Sequence, residues 1–248
     1  MSESFPGGGL EPGRNFRTTH WSVVMAARHA PTAESVAALE VLAKTYWMPL
    51  YTFIRRRGTD PTEAQDLTQG FFARLLEKEW LLAADAERGR FRTFLLTALT
   101  RFLSDEYDRA TALKRGGGAT LVSLDFGLAE ERLALEPADG RTPEQAFDRA
   151  WAEALLEKVL SRLAAEFDDG GRTGRFAVLK QFLTEDAEDG SYARAAAELG
   201  LSESAVKSGI HRLRRRYGEL IHEEIALTLV AEADIDSELE HFLSALGG

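Results

Sequence analysis

The chain has 248 residues, no cysteine, a formal charge of −10 and a hydrophobic share of 44%, so a buried core is expected and wholesale disorder is not. The absence of cysteine excludes disulfides, thiolate metal sites and thiol nucleophiles. The first residues lack a signal pattern and no apolar run approaches the roughly 20 residues of a bilayer span, so a soluble, cytoplasmic chain without membrane insertion is expected.

Residues 1–18, with Pro6, the Gly7–Gly9 run, Pro12 and Gly13, read as a mobile arm. The triple glycine lacks the spacing and strand-to-helix setting of a phosphate loop. From about Thr19 the pattern is helical. Trp21, Val24 and Met25 make one apolar face, and Val36, Leu39, Leu42, Ala43, Tyr46 and Trp47 make another. Pro49 is expected to interrupt before Leu50, Tyr51, Phe53 and Ile54 lead to a basic end and a glycine stop, Arg55-Arg56-Arg57-Gly58. Asp60-Pro61-Thr62-Glu63 then reads as a helix start, with an N-cap, proline at the first helical position and a glutamate placed for a capping box. The helix runs through EAQDLTQGFFARLLEKEW, with Leu67, Phe71, Phe72, Leu75 and Leu76 inward. Glu63, Asp66, Gln69 and Arg74 fall on its other faces. Trp80–Arg90 reads as a loop. Phe91 to about Leu113 reads as a helix with Phe91, Phe94, Leu95, Leu99, Phe102 and Leu103 inward and Arg92, Arg101 and Arg109 outward.

Lys114-Arg115-Gly116-Gly117-Gly118 is the clearest break, and residues 116–141 have no sustained period and read as a linker. A second helical domain opens at Thr142-Pro143-Glu144. Phe147, Trp151, Leu155, Leu156, Val159, Leu160 and Leu163 line a long helix ending near Gly170-Gly171, and Phe176, Leu179, Phe182 and Leu183 line a shorter one. Ser191–Tyr217 reads as a helix-turn-helix. Ser191 is the expected first cap, Ala195, Ala196 and Leu199 face inward, and Gly200 supplies a left-handed turn. Ser202 caps a second helix with Val206, Ile210 and Leu213 inward at i, i+4, i+7, leaving Lys207, Ser208, His211, Arg212 and Arg214 on the exposed side. Such a second helix can lie in a DNA major groove. The remainder, 223–248, reads as an acidic helical extension. The fold class is therefore all-α: two small helical domains, 19–115 and 142–222, joined by a flexible linker.

Charge is unevenly distributed. Residues 191–222 hold six Lys/Arg against three Glu, and residues 86–115 hold seven basic against four acidic, each a net of +3. Residues 223–248 hold seven acids and no Lys or Arg. Local sign decides where a polyanion sits, and the opposition of signs leads to the expectation that the acidic tail covers the basic recognition helix in free protein. Catalysis is not expected. His20, His29, His211, His222 and His241 share no ligand spacing, and HExxH, P-loop and GxSxG motifs are absent.

In this order, residues 20–222 resemble the bacterial extracytoplasmic-function (ECF) sigma factors, whose two helical domains are called region two and region four. Glu63-Ala64-Gln65-Asp66-Leu67-Thr68-Gln69-Gly70-Phe71-Phe72 is similar to the acidic helix by which that family grips RNA polymerase core. Arg88-Gly89-Arg90-Phe91-Arg92-Thr93-Phe94-Leu95 matches where the family melts promoter DNA. The helix-turn-helix ending AVKSGIHRLRRR matches region four, which reads the minus-thirty-five element. A subgroup with TTHWS-like starts, AQDLTQGFF and KRGGG is most similar.

The resemblance implies Glu63, Asp66 and Gln69 as polymerase contacts, with Gly70 standing where an acid is common. It implies Trp80, Arg88, Arg90, Arg92 and Arg101 as single-strand contacts during promoter melting; Asp85 and Glu87 in the same loop are placed either to accept from base amino groups or to cap a turn. On the duplex it places Lys207, Ser208, His211 and Arg212 at base edges or adjacent phosphates and Arg214 and Arg215 at phosphates, with Gly209 where arginine is common. Only two or three of Arg212–Arg216 are expected to reach DNA. The implied partners are core polymerase, promoter DNA, and an anti-sigma factor or Ser/Thr kinase as regulator; no cofactor is implied. Two rivals remain: a stand-alone helix-turn-helix regulator, and a chain whose N-terminal half is an interaction module without DNA contact. The segment 60–115 separates them, since a regulator needs neither the acidic helix nor the arginine-flanked loop.

Overall fold

The computed structural model describes residues 20–21, 33–75, 90–112, 124–135, 140–169, 173–183, 190–229 and 234–247. The expected arm at 1–18, the loop with Trp80, Asp85, Glu87 and Arg88, and the break at 114–118 lie outside them. Every regular element among the described residues is helical: α1 (Ala33–Arg56), α2 (Pro61–Leu75), α3 (Phe91–Ala112), α4 (Phe126–Leu135), α5 (Pro143–Asp169), α6 (Thr173–Leu179) with a 3-10 turn (Lys180–Phe182), α7 (Ser191–Leu199), α8 (Glu203–Leu227) and α9 (Ile235–Gly247).

Helix α1 runs through Pro49 without a break, contrary to the expected interruption. A proline inside a helix costs about 3 kcal/mol. Burial of Tyr46, Leu50, Tyr51, Phe53 and Ile54 around it, at about 1.5–3 kcal/mol for each large apolar side chain, outweighs that cost. The glycine stop is as expected: Gly58 is left-handed, with φ 89°, and its N–H donates to the Arg55 carbonyl. Asp60 caps α2, its Oδ1 accepting the backbone N–H of Thr62 at 3.0 Å and of Glu63 at 3.1 Å. Phe71, Phe72 and Leu75 are buried as expected, whereas Leu67 is only half-buried and its place in the core is taken by Ala64 and Thr68.

The segment 116–141, read as a linker, contains α4. Its short helix packs on α1 because Phe126 meets Trp47 and Tyr51, and because Glu130 binds Arg55 and accepts from the Tyr51 hydroxyl at 2.7 Å. Helix α5 begins with a reciprocal capping box: the Thr142 N–H donates to Gln145 Oε1, and the Gln145 N–H donates to Thr142 Oγ1. Among the described residues, α1 and α5 make the broadest contact, and one buried cluster joins Trp21, Tyr46 and Phe91 of the first half to Trp151, Ile225 and Phe242 of the second. The two halves therefore share a core.

Helix α9 packs on α5 and α8, with Ile235 and Phe242 buried and the Phe242 ring edge-on to Trp151. The N–H of Phe91, at the start of α3, donates to the carbonyl of Thr228, just past the end of α8. His20 is buried with its Nδ1 3.0 Å from the Tyr46 hydroxyl. Desolvation, aided by the positive field of Lys158, lowers its pKa to about 3, so it is neutral inside the fold.

Candidate nucleic-acid interface

The basic face of α8 depends on how sharply the chain turns before it. Gly200 ends α7 with φ 63°, and the N–H of Leu201 donates to the Ala196 carbonyl at 2.9 Å, closing the last turn. Ser202 then starts α8, its Oγ accepting the Ala205 N–H at 3.2 Å. At the start of α7 the expectation fails: Gly190, left-handed at φ 80°, occupies the cap position, and Ser191 is the first helical residue. A left-handed cap favours glycine, so Gly190 enters the helix without a side-chain bond.

Val206, Ile210 and Leu213 are buried, which turns Lys207, Ser208, His211, Arg212, Arg214 and Arg215 outward, all exposed. Their neighbours divide them. Lys207 Nζ stands 5.1 Å above the Tyr192 ring, and Tyr192 stacks on Phe182, so this cation sits on an aromatic platform at the α7–α8 corner. Arg212 forms no ion pair with the described residues. Arg214 is drawn back towards the 3-10 turn, its Nε donating to the Phe182 carbonyl at 2.8 Å. Arg215 lies 3.4 Å from Glu219, a loose pair between two largely exposed groups. Arg216 is fully engaged by Glu166, Glu219 and Glu223. Its guanidinium holds the Glu166 carboxyl below the usual carboxylate range against the opposing effect of burial. The five positions of the run Arg212–Arg216 are thus unequally engaged within the protein.

Gly209 lies between Ser208 and Ile210 on α8 and is half-buried. Its α-carbon faces α6, and an added Cβ would meet Leu179 Cδ1 at 3.5 Å, an ordinary contact.

The second basic site is differently built. Arg92, expected on the outer face of α3, is buried at 7% exposure. Its Nε donates to Glu238 Oε1 and its Nη1 to Asp148 Oδ1, both at 2.8 Å, and its guanidinium lies 5.3 Å from the centre of the Trp151 ring. Arg90 Nε lies 2.8 Å from Glu238 Oε2, and its Nη2 donates to Ser237 Oγ at 2.6 Å. Glu238 is completely buried, so one carboxylate is shared by two guanidiniums. Arg101 remains exposed on the same helix. The sequence reading missed Asp148, Trp151 and Glu238 as partners; the acidity of the tail was the one signal, and it pointed to Glu238 alone.

That same geometry corrects the expectation for the tail. Among the described residues no tail acid forms an ion pair with Lys207 or Arg212. Glu238 binds Arg90 and Arg92, Glu223 binds Arg162 and, on α8, Arg216, and Glu224 binds Arg162 and Lys158, the last at 2.8 Å.

On α2, Glu63 and Asp66 are exposed and Gln69 is half-buried. Glu63 borders an open groove between α2 and α3 with Arg57, Leu67, Leu103 and Tyr107, and Tyr107 is 73% exposed. An added Cβ at Gly70 would lie 3.3 Å from Phe102 Cζ on α3, a tight contact. Among the described residues, no His, Asp and Glu side chains gather to hold a metal ion, and no described helix is long and apolar enough to cross a membrane. No protein-family model, curated protein or solved structure matches the chain.

Proposed function

We propose that this chain is a promoter-specificity subunit of the extracytoplasmic-function sigma type, acting in the cytoplasm. In this reading residues 19–115 correspond to region two and 142–222 to region four. The subunit binds polymerase core through Glu63, Asp66 and Gln69, reads a minus-thirty-five element through α8 and helps open DNA near the minus-ten element. The observation that carries the reading is the α7–α8 corner, where a left-handed glycine and a serine cap set a basic, exposed helix face on a buried Val206–Ile210–Leu213 stripe. The exposed carboxylates Glu63 and Asp66 on α2 are consistent with an interface that confers orientation through charge.

A second reading has a specific observation in its favour. Arg90 and Arg92 are occupied by protein carboxylates, as suits a stand-alone helix-turn-helix regulator that uses only α8 on DNA. Reconstitution separates the two. Purified chain, bacterial core polymerase and a library of promoter fragments are combined and the transcripts sequenced. Initiation from a recurring two-part motif, dependent on this chain, is the expected result; duplex binding without any complex with active core would transfer the reading to the regulator.

A further inference from the structure

The pairing of Glu238 with Arg90 and Arg92 has the chemistry of a site filled by a stand-in. A guanidinium fork binds a carboxylate and a phosphate in the same way. Here both oxygens of one carboxylate are taken, Oε1 by Arg92 and Oε2 by Arg90, and Ser237 next to it receives a further bond from Arg90. Helix α9 is also held by apolar packing on α5 and α8, with Leu239, Ala245 and Leu246 partly buried. Ile235 and Phe242 are its buried apolar side chains, Leu243 is 58% exposed, and Asp236 and Glu240 face solvent. A docked α9 thus does two things at once: it occupies the cations at the start of α3, and it presents further acids beside them to any approaching polyanion.

We infer that α9 is a detachable cover over an anion site, in which Glu238 occupies Arg90 and Arg92 in the free protein and single-stranded nucleic acid takes their place when α9 leaves. This rests on the reading of these arginines as strand-holding groups in the proposed function. It departs from a cover over the recognition helix, because α8 keeps Lys207 and Arg212 exposed while α9 is docked. Duplex reading and single-strand capture are then separately available: the first in the free chain, the second only after displacement.

The test uses the full chain and a fluorescein-labelled 12-nucleotide single strand of mixed sequence, followed by anisotropy across a salt series. Glu238→Ala is expected to bind the strand at least tenfold more tightly than the unaltered chain. Two added phosphate contacts should also steepen the salt dependence by about 1.4 in the log–log slope. Adding Arg90→Ala and Arg92→Ala should abolish the gain. Equal binding by the unaltered chain and Glu238→Ala would overturn the cover.

A second variant guards against loss of structure in the first. Because the chain has no cysteine of its own, Asp148→Cys and His241→Cys can be joined by a reducible bis-maleimide. Those side chains approach to 3.0 Å without being aligned for a hydrogen bond, so the tether pins α9 to α5. The tethered form is expected to bind the strand at least tenfold more weakly than the same protein after reduction, and equal binding overturns the proposal. Transcription with core reads the proposed function apart from this one. A chain that never initiates but shows the Glu238→Ala gain keeps the cover and loses the sigma reading. A chain that initiates equally well while tethered keeps the sigma reading and loses the cover.

Discussion

Arg92 on α3 and Arg212 on α8 are both arginines on amphipathic helices in locally basic stretches, yet one is buried and the other stands in solvent. Nothing in their immediate sequence separates them. What differs is the neighbour across the fold. Arg92 meets Asp148, 56 residues away, Glu238, 146 residues away, and the face of Trp151, whereas Arg212 meets no described acid. A local surplus of positive charge therefore marks where anions are bound without saying whether the anion is DNA or the protein's own carboxylate. The distinction is energetic as well as geometric. Breaking a buried ion pair leaves an uncompensated charge and is strongly destabilising, while removing an exposed cation hardly disturbs the fold.

The sharpest way to break the comparison is to truncate both arginines. Arg92→Ala should lower unfolding stability by about 3 kcal/mol, the lower end for a buried pair because Arg90 still shares Glu238. Urea denaturation measures it, and a loss below about 1 kcal/mol would mean that the Glu238–Asp148 cradle contributes little to the fold. The same buried half should respond to acid. His20 is held neutral with a pKa near 3 in the fold and titrates near 6.5 when unfolded. Below that unfolded value the unfolded chain takes up a proton that the native chain refuses, so stability falls with decreasing pH. The slope should be about 1.4 kcal/mol per pH unit between pH 6 and pH 4. Unfolding midpoints of the chain and of His20→Leu at successive pH values test this: the variant should lack that share of the slope, and parallel curves would show that His20 is not the group responsible.

On the exposed side, Arg212→Ala should leave stability within about 0.5 kcal/mol and weaken binding to the matched duplex by about 1–3 kcal/mol. If every sequence loses affinity equally, Arg212 holds a phosphate and reads no base. The smallest effect is expected at Gly209, which sits in an ordinary helical conformation with room for a Cβ against Leu179. Gly209→Ala should raise stability by about 0.5–1 kcal/mol with duplex binding unchanged. A loss of binding would show that the backbone at this position approaches DNA closely.

The α7–α8 corner was legible because its determinants are local. Gly200, Leu201 and Ser202 fix the turn through bonds spanning a few residues, and the buried stripe has a helical period. Ser191 misled because serine and a preceding glycine both suit a cap, and only the backbone chooses between them. Helix α4 was not legible. Its ten residues carry a weak period, and it is secured by Glu130 reaching Arg55 and Tyr51, 75 and 79 residues away. Pro49 misled for the same reason: the burial that keeps α1 continuous comes from distant partners. At the candidate sites, exposure on α8 followed from its period. The fate of Arg90 and Arg92 depended on an acid at the far end of the chain.

Helix α8 is uninterrupted over its 25 residues, so it behaves as a single rod about 37 Å long. Val206, Ile210 and Leu213 seat its first half in the core, and Leu220, Glu224 and Ile225 seat its last turns. A tilt of about 5° about either end would move the other about 3 Å and so break the packing of one buried set or the other. The exposed cations between them therefore keep fixed spacings along the rod, and only repacking of the whole buried side can alter where they stand.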